Sequence, residues 1–275
     1  MTKHINKVAK DAGFERLSTI TESGIYKILN KAKIKLFRIQ YYCERRVPDF
    51  DDKMHNVLLI YKQLSLQFDE AGQIIPFDDG EVTHVLSYDE KPGVQAIANT
   101  SEDKMPNDKW GVIKRDYEYR NLGNLSLLAG IDLQTGESIP LVSDTHNSND
   151  YITFLKKLDA KYPKGDKIRL ILDNLKVHSS QKVVEYLETI PGRFEFVFTP
   201  KHASWLNLVE GFFSKMTKQI LHGIRVDSKL ELEMRIYKYF EEINGDPVVY
   251  HWGWNLEDID PNEKATIHTL IPGNV

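Results

Sequence analysis

Apolar positions recur along this chain with two different periods, and the change from one to the other divides it. In "INKVAKDAGF", Ile5, Val8, Ala9 and Ala12 fall at helical spacing and Gly13 closes the run, which predicts a short helix from Ile5 to Phe14. In "TITESGIYKILNKAKI", Ser18, Thr19 and Thr21 offer N-cap oxygens, and Ile25, Ile28, Leu29 and Ala32 form an apolar stripe. Two short helices about a tight turn, the second carrying Lys27, Lys31 and Lys33, outline a helix-turn-helix. "YYCERRVPDFDDK" has no period and reads as a linker, after which "MHNVLLIYKQLSLQF" resumes an amphipathic helix.

From Thr83 the period shortens. Apolar runs at "THVLSYD", "GNLSLLAGID", "SIPLVSD", "KIRLILD" and "RFEFVFTP" predict strands, and helical patterns lie at about 148 to 161 and 179 to 189. A long helix is expected after Pro200, beginning near Ser204, with another over about 227 to 243 and an irregular tail from Asn244. Strands in succession, then strands alternating with helices, indicate an α/β domain with a mixed sheet. "HVLSYDEKPG" is expected to end its strand at Asp89, before the turn residues Lys91, Pro92 and Gly93.

Charge sharpens this division. Residues 1 to 46 carry eleven Lys/Arg against four Asp/Glu, whereas the remaining 229 carry twenty-five against thirty-six. A basic block joined to an acidic body suggests a polyanion-binding module attached to something that holds cations; a merely solvated lysine-rich helix is the bland alternative. The single cysteine, Cys43, excludes an internal disulfide and a thiolate-rich zinc site. No apolar run approaches a membrane span, so a soluble cytoplasmic protein is expected.

Three acids stand out by position. Asp89 and Asp173 each follow an apolar run and precede turn residues, and in open α/β sheets ligands collect beyond strand C-termini. Aspartate is also an ordinary turn residue, which is the competing explanation for either alone. Glu210 lies at the border of a broad stripe formed by Trp205, Leu206, Leu208, Val209, Phe212, Phe213, Met216 and Ile220, where a snorkelling glutamate is equally at home. Three carboxylates from distant parts of a chain suit a pair of Mg²⁺ ions in phosphoryl transfer, because a hard cation takes carboxylate oxygen.

The segments "LSYDEKPGVQAI", "LILDNLKVH" and "FTPKHASWLNLVEGFFSKM", in this order, resemble the three signature blocks of the IS630 family of bacterial transposases, relatives of the Tc1/mariner elements with a DDE triad. The likeness extends more loosely over most of residues 18 to 250. It implies an RNase H-like mixed sheet flanked by helices, preceded by a small helix-turn-helix DNA-binding segment. The strands ending at Asp89 and Asp173 would be parallel neighbours, and Glu210 would project from a flanking helix. The implied boundaries are 1–46 for the DNA-binding segment, one unit short of the family pattern; 47–80 for a linker and connecting helix; 81–243 for the catalytic domain; and 244–275 for the tail.

The same resemblance implies that Asp89, Asp173 and Glu210 are the catalytic and metal-binding triad, holding two Mg²⁺ ions for which Mn²⁺ substitutes. Asn174 and His178 match the "DN…H" pattern and His202 the "TPKH" block; all three are expected to support the triad from behind or to position the phosphate. Glu90 adjoins Asp89, but neighbouring side chains on a strand face opposite ways, which argues against its sharing the site. Tyr26, Lys27, Asn30, Lys31, Lys35, Arg38, Arg45 and Arg46 are expected to meet DNA, the basic ones mostly at phosphates. The function so implied is binding of terminal inverted repeats in double-stranded DNA, metal-dependent phosphodiester cleavage and strand transfer to target DNA by a homodimer associated with the bacterial nucleoid. Two rivals are a truncated or domesticated copy that binds without cutting, and an RNase H-like nuclease.

Overall fold

A computed structural model describes residues 1–35, 47–67, 82–268 and 270, and the chain divides into two compact units, Met1–Glu44 and Arg45–Val275. Arg38, Cys43, Arg45 and Arg46 lie outside the described residues.

In the first unit α1 (Thr2–Asp11) and α2 (Glu22–Lys31) flank a 3₁₀ turn over Glu15–Leu17. Gly13 sits just past α1 at φ 77°, and Phe14 donates its N–H back to the Ala9 carbonyl, so the glycine supplies the left-handed residue that turns the chain. Of the three hydroxyls offered for capping, Thr21 is the one used, its Oγ1 accepting from Gly24 N at 3.2 Å. The expected stripe of α2 is only partly covered: Ile25 is buried, whereas Ile28 is 52 % exposed. Tyr26, Lys27, Asn30, Lys31 and Lys35 are all exposed.

The second unit is built on a five-stranded sheet of order β3-β2-β1-β4-β5. The strands are β1 (Thr83–Asn99), β2 (Tyr119–Asp132), β3 (Ser138–Ser143), β4 (Lys167–Leu172) and β5 (Phe194–Phe198). β1, β2 and β3 are antiparallel in succession, while β1, β4 and β5 are parallel, which is the mixed sheet anticipated from the sequence. Between them, α4 (Ser148–Lys161) and α5 (Gln181–Glu188) make the crossovers that parallel strands require. α4 opens with a capping box, Asn147 accepting from Asp150 N while the Asp150 carboxylate accepts from Asn147 N.

Alternation along the strands sorts residues between the two faces. Leu86 and Tyr88 of β1, Leu170 and Leu172 of β4, and Phe194, Phe196 and Phe198 of β5 form one cluster with Tyr151, Phe154 and Leu158 of α4 and Val183 and Val184 of α5. Among the described residues three further helices pack on the sheet: α3 (Phe50–Ser65) meets β5, α6 (Leu208–Met216) meets β1 and β2, and α7 (Lys229–Asn244) meets β2 and β3. α7 also guards the edge strand, since Asn244 exchanges hydrogen bonds with the backbone of Ser138 and the Tyr237 hydroxyl accepts from Val142 N at 3.1 Å.

Two expectations need correction. β1 does not end at Asp89; it runs to Asn99, because β2 continues to pair with it. What ends before Asp89 is the parallel ladder with β4, whose last pair is Ser87↔Ile171. Pro92 and Gly93 make a shift of register within the longer strand, Gly93 at φ 69°, rather than a terminating turn. Second, the helix expected from Ser204 is broken: Ser204–Leu206 is a 3₁₀ turn, Asn207 is extended at φ −89°, ψ 109°, and α6 begins at Leu208. α3 itself lies within the second unit, with Val57, Leu58, Leu59, Ile60 and Tyr61 all buried.

The tail after Asn244 is irregular but docked. Asn56 of α3 donates to Thr266 O at 2.8 Å and accepts from Thr266 N at 2.7 Å, Trp252 stacks on Tyr61, and His268 pairs with Phe196 on the β5 edge.

Arg193, 7 % exposed, fastens the start of β5 to the end of α4. Its guanidinium donates to the Asp159 carboxylate at 2.9 Å and to the carbonyls of Pro163 at 2.6 Å, Tyr162 at 2.8 Å and Asp166. Arg193→Ala leaves those acceptors facing a void, and a loss of about 3–5 kcal/mol is expected in urea unfolding. Arg193→Lys should recover only part of it, since one ammonium cannot reproduce the planar fork.

Candidate metal-binding active site

The parallel register of β1 and β4 sets the site. Asp89 and Asp173 each stand two residues beyond the last β1–β4 pair, so the two carboxylates leave adjacent strands at the same level. Glu210 lies in the first turn of α6, held there by a second set of contacts. Asn207 donates through Nδ2 to Tyr88 O at 2.8 Å and accepts from the Ser87 hydroxyl, and Ser87 Oγ in turn accepts from Val209 N at 2.9 Å. These bonds tie the start of α6 to β1 directly beside Asp89. From α3, Tyr61 reinforces the junction by donating to Leu206 O at 2.6 Å.

Electrostatics shows the acids sensing one another. Burial is the largest cause pushing the Asp89 carboxyl up to about 7, opposed by the Glu90 N–H that donates to Asp89 Oδ1 at 2.8 Å. The neighbouring charges of Glu90, Asp173 and Glu210 push it further the same way. Asp173 is also raised, chiefly by burial, against the pull of His178 and of the Leu175 N–H, which donates to Asp173 Oδ1 at 3.0 Å. Asp173 thus holds the turn while its charge is felt by Asp89 and His178.

His178 is fully buried between two carboxylates. Nε2 lies 2.9 Å from Glu90 Oε1, and Nδ1 lies 3.3 Å from Asp173 O and 3.6 Å from Asp173 Oδ1. Burial opposes its charge, but Glu90 and Asp173 outweigh that and raise its pKa. Reciprocally, burial raises the Glu90 carboxyl, yet hydrogen bonds from His178 and the Tyr88 hydroxyl leave it below the ordinary range. Among the described residues, Glu90, Asp173 and His178 form the cluster whose ligand atoms all lie within 4.8 Å of one another. Both His178 nitrogens already face carboxylate or carbonyl oxygen, so this cluster is closed by protons. The Asp173 side chain is still 44 % exposed, and Asp89 feels its charge together with that of Glu210.

The remaining predicted residues take different places. Asn174 donates to Thr199 O and accepts from Lys53 Nζ at 3.0 Å, joining the ends of β4 and β5 to α3. His202 is exposed in the β5–α6 loop with φ 65°. Ser87, Asn207 and Lys53 escaped sequence reasoning. Asn207, three residues before Glu210, carried the signal of an N-cap, but its side chain bonds β1 instead of its own helix. Glu90 was set aside on the alternation of strand faces. That alternation holds: Glu90 follows Tyr88 to the α4 side, and it returns to Asp173 by way of His178.

A sheet of this order, with acids just beyond the end of its β1–β4 parallel ladder and on a flanking helix, defines an RNase H-like fold. The chain belongs to the DDE superfamily endonuclease family, whose model matches residues 84–233. It is 26 % identical over 113 residues to the insertion element IS630 uncharacterized 39 kDa protein of Shigella sonnei, a match spanning 41 % of this chain and 33 % of that relative. The matched stretch is thus about a third of the relative's length. Among solved structures, the chain is similar in fold to the Mos1 strand transfer complex, with 12 % identity, a TM-score of 0.52 and coverage of 88 % of this chain and 70 % of that one. It is also similar to the mariner Mos1 paired end complex with Mg, with 12 % identity, a TM-score of 0.52 and coverage of 90 % and 73 %.

Proposed function

We propose that this chain is a DNA transposase that cleaves phosphodiester bonds at the ends of its element and joins the freed 3′-hydroxyl to target DNA. The observation that carries the reading is the convergence of Asp89, Asp173 and Glu210 just beyond the β1–β4 ladder and at the start of α6, within a chain of the DDE endonuclease family. The relatives support it: one solved structure is a strand transfer complex, and others are paired end complexes with Mg and with Mn.

The donor set fits hard divalent cations. All three groups offer carboxylate oxygen, and the Asp89 carboxyl, raised to about 7 by burial and by its acidic neighbours, is a group whose ionisation a bound cation would favour. In our reading two Mg²⁺ ions, or Mn²⁺ in their place, are held by Asp89, Asp173 and Glu210. When bound, such ions neutralise charge on the phosphate oxygens and activate the attacking oxygen. The protein's own part is to present three carboxylates from two rigid elements, Asp89 and Asp173 from the sheet and Glu210 from a helix pinned to it by Asn207. Buried in contact with Asp173, His178 supports from behind and does not meet the phosphate.

The first unit supplies affinity for the duplex. Lys27, Lys31 and Lys35 are exposed on or just after α2 and would meet phosphates, and Tyr26 and Asn30 share its exposed surface. We assign Arg38, Arg45 and Arg46 the same role from sequence. Synapsis of two ends calls for a homodimer. No described helix is long and apolar enough to cross a membrane, and we place the protein's work in the cytoplasm, on the nucleoid.

The test is cleavage of a duplex carrying the inverted repeats that flank its coding sequence, in Mg²⁺ or Mn²⁺. Wild type should nick at the repeat boundary, and Asp173→Ala should lose cleavage by at least about a thousandfold while still shifting the duplex in a gel. Equal cleavage by both proteins would refute the triad. Binding without cleavage by either would favour a copy that only occupies the repeats.

A further inference from the structure

We propose that Glu90 is a positioning residue, which acts through His178 to fix the carboxylate of Asp173. Its side chain is 5 % exposed and points to the α4 side of the sheet, so it cannot meet substrate. The Tyr88 hydroxyl donates to Glu90 Oε1 at 2.7 Å, and the same oxygen faces His178 Nε2 at 2.9 Å. The imidazole is fully buried and clasped by aromatic rings, Tyr151 with centroids 4.7 Å apart and Tyr88 edge-on at 5.7 Å. With the ring held at Nε2, Nδ1 is aimed at the Asp173 carbonyl and carboxylate.

The chain Tyr88, Glu90, His178, Asp173 thus links the middle of β1 to the residue that follows β4, behind the ladder that ends at Ser87 and Ile171. Metal-ligating groups are commonly oriented by such partners, whose loss costs about 10–100-fold in affinity or rate. Asp173 needs one, because within the turn the Leu175 N–H at 3.0 Å constrains one of its two oxygens. The inference rests on the reading of Asp173 as a cation ligand.

The experiment is Mn²⁺ titration of the full chain, followed by electron paramagnetic resonance, for wild type, Asp173→Ala, Glu90→Gln, His178→Gln and the Glu90→Gln/His178→Gln double variant. Cleavage rate and DNA affinity are measured on the same proteins. Glu90→Gln should weaken Mn²⁺ binding and slow cleavage by about 10–100-fold without changing DNA affinity. The double variant should be no worse than His178→Gln, since the two act in one line. If Asp173→Ala loses Mn²⁺ but Glu90→Gln binds and cleaves within about twofold of wild type, or if the two single effects multiply, the positioning role is refuted. If Asp173→Ala itself binds Mn²⁺ like wild type, the underlying site assignment fails instead, and the inference with it. Should Glu90→Gln not fold, His178→Gln is read by the same criteria.

Discussion

Asp89→Asn is expected to abolish cation-dependent cleavage and, in the same protein, to raise the melting temperature of the cation-free form at pH 8. The two outcomes share a cause. The Asp89 carboxyl is raised to about 7 in the folded chain, first by burial and then by the charges of Glu90, Asp173 and Glu210, against an ordinary value of 3.8. Between these two pH values the folded state keeps a proton that the unfolded chain has released. Stability contributed by this group therefore falls as pH rises from about 4 to about 7, and the full penalty stands above that. A shift of about three units sets a ceiling of about 4 kcal/mol, which is on the order of 10 °C in a unit of this size. Asparagine removes the charge but still offers an oxygen to the Glu90 N–H. The gap between variant and wild type should be small at pH 4.5, widen to pH 7.5 and then stay level. Mn²⁺ should raise the melting temperature of wild type and leave the variant nearly unchanged. Melting curves that coincide at both pH values would show that the site stores no such repulsion.

Residues that speak through period and position were legible without coordinates. The apolar runs leading to Asp89 and Asp173 and the helix over 148 to 161 follow from alternation and turn chemistry, because each is specified locally, whereas the pairing of β1 with β4 came only with the family resemblance. The continuation of β1 was hidden. Pro92 and Gly93 look like a stop on a lone strand, and only the partner β2, more than twenty residues later, turns them into a shift of register. The contribution of Glu90 was hidden for a different reason. Strand alternation correctly sent it to the other face, but no local rule says that His178, eighty-eight residues on, lies there to connect it with Asp173. The docked tail is a third case: beside the Trp252–Tyr61 stack, several of its anchors are backbone groups of Pro261 and Thr266 on α3 side chains, and backbone partners leave no trace in sequence. Burial of α3 shows the same limit, since five consecutive residues from Val57 to Tyr61 are covered, and a helix enclosed on most sides has no clean stripe to read.

Asn207→Ala should cost cleavage far more than its size suggests. The side chain sits 2 % exposed at the junction of β1 and α6, donating to Tyr88 O and accepting from Ser87, whose oxygen receives the Val209 N–H. Truncation orphans a buried carbonyl and a buried hydroxyl, for about 1–3 kcal/mol in urea unfolding. The larger consequence is geometric. Glu210 is three residues further along, and its place opposite Asp89 depends on α6 starting where Asn207 pins it. A displacement of about 1 Å at a reacting centre is worth about a hundredfold in rate, so kcat should fall by that order while DNA affinity is kept. Ser87→Ala breaks the weaker half of the clamp and should fall between the variant and wild type. Asn207→Asp keeps an acceptor for Ser87 but loses the donor to Tyr88 O and adds a buried negative charge beside Asp89, so it should be no better than alanine. Wild-type cleavage by Asn207→Ala, in a protein destabilised as expected, would mean that Glu210 is placed by the packing of Val209, Phe212 and Phe213 alone.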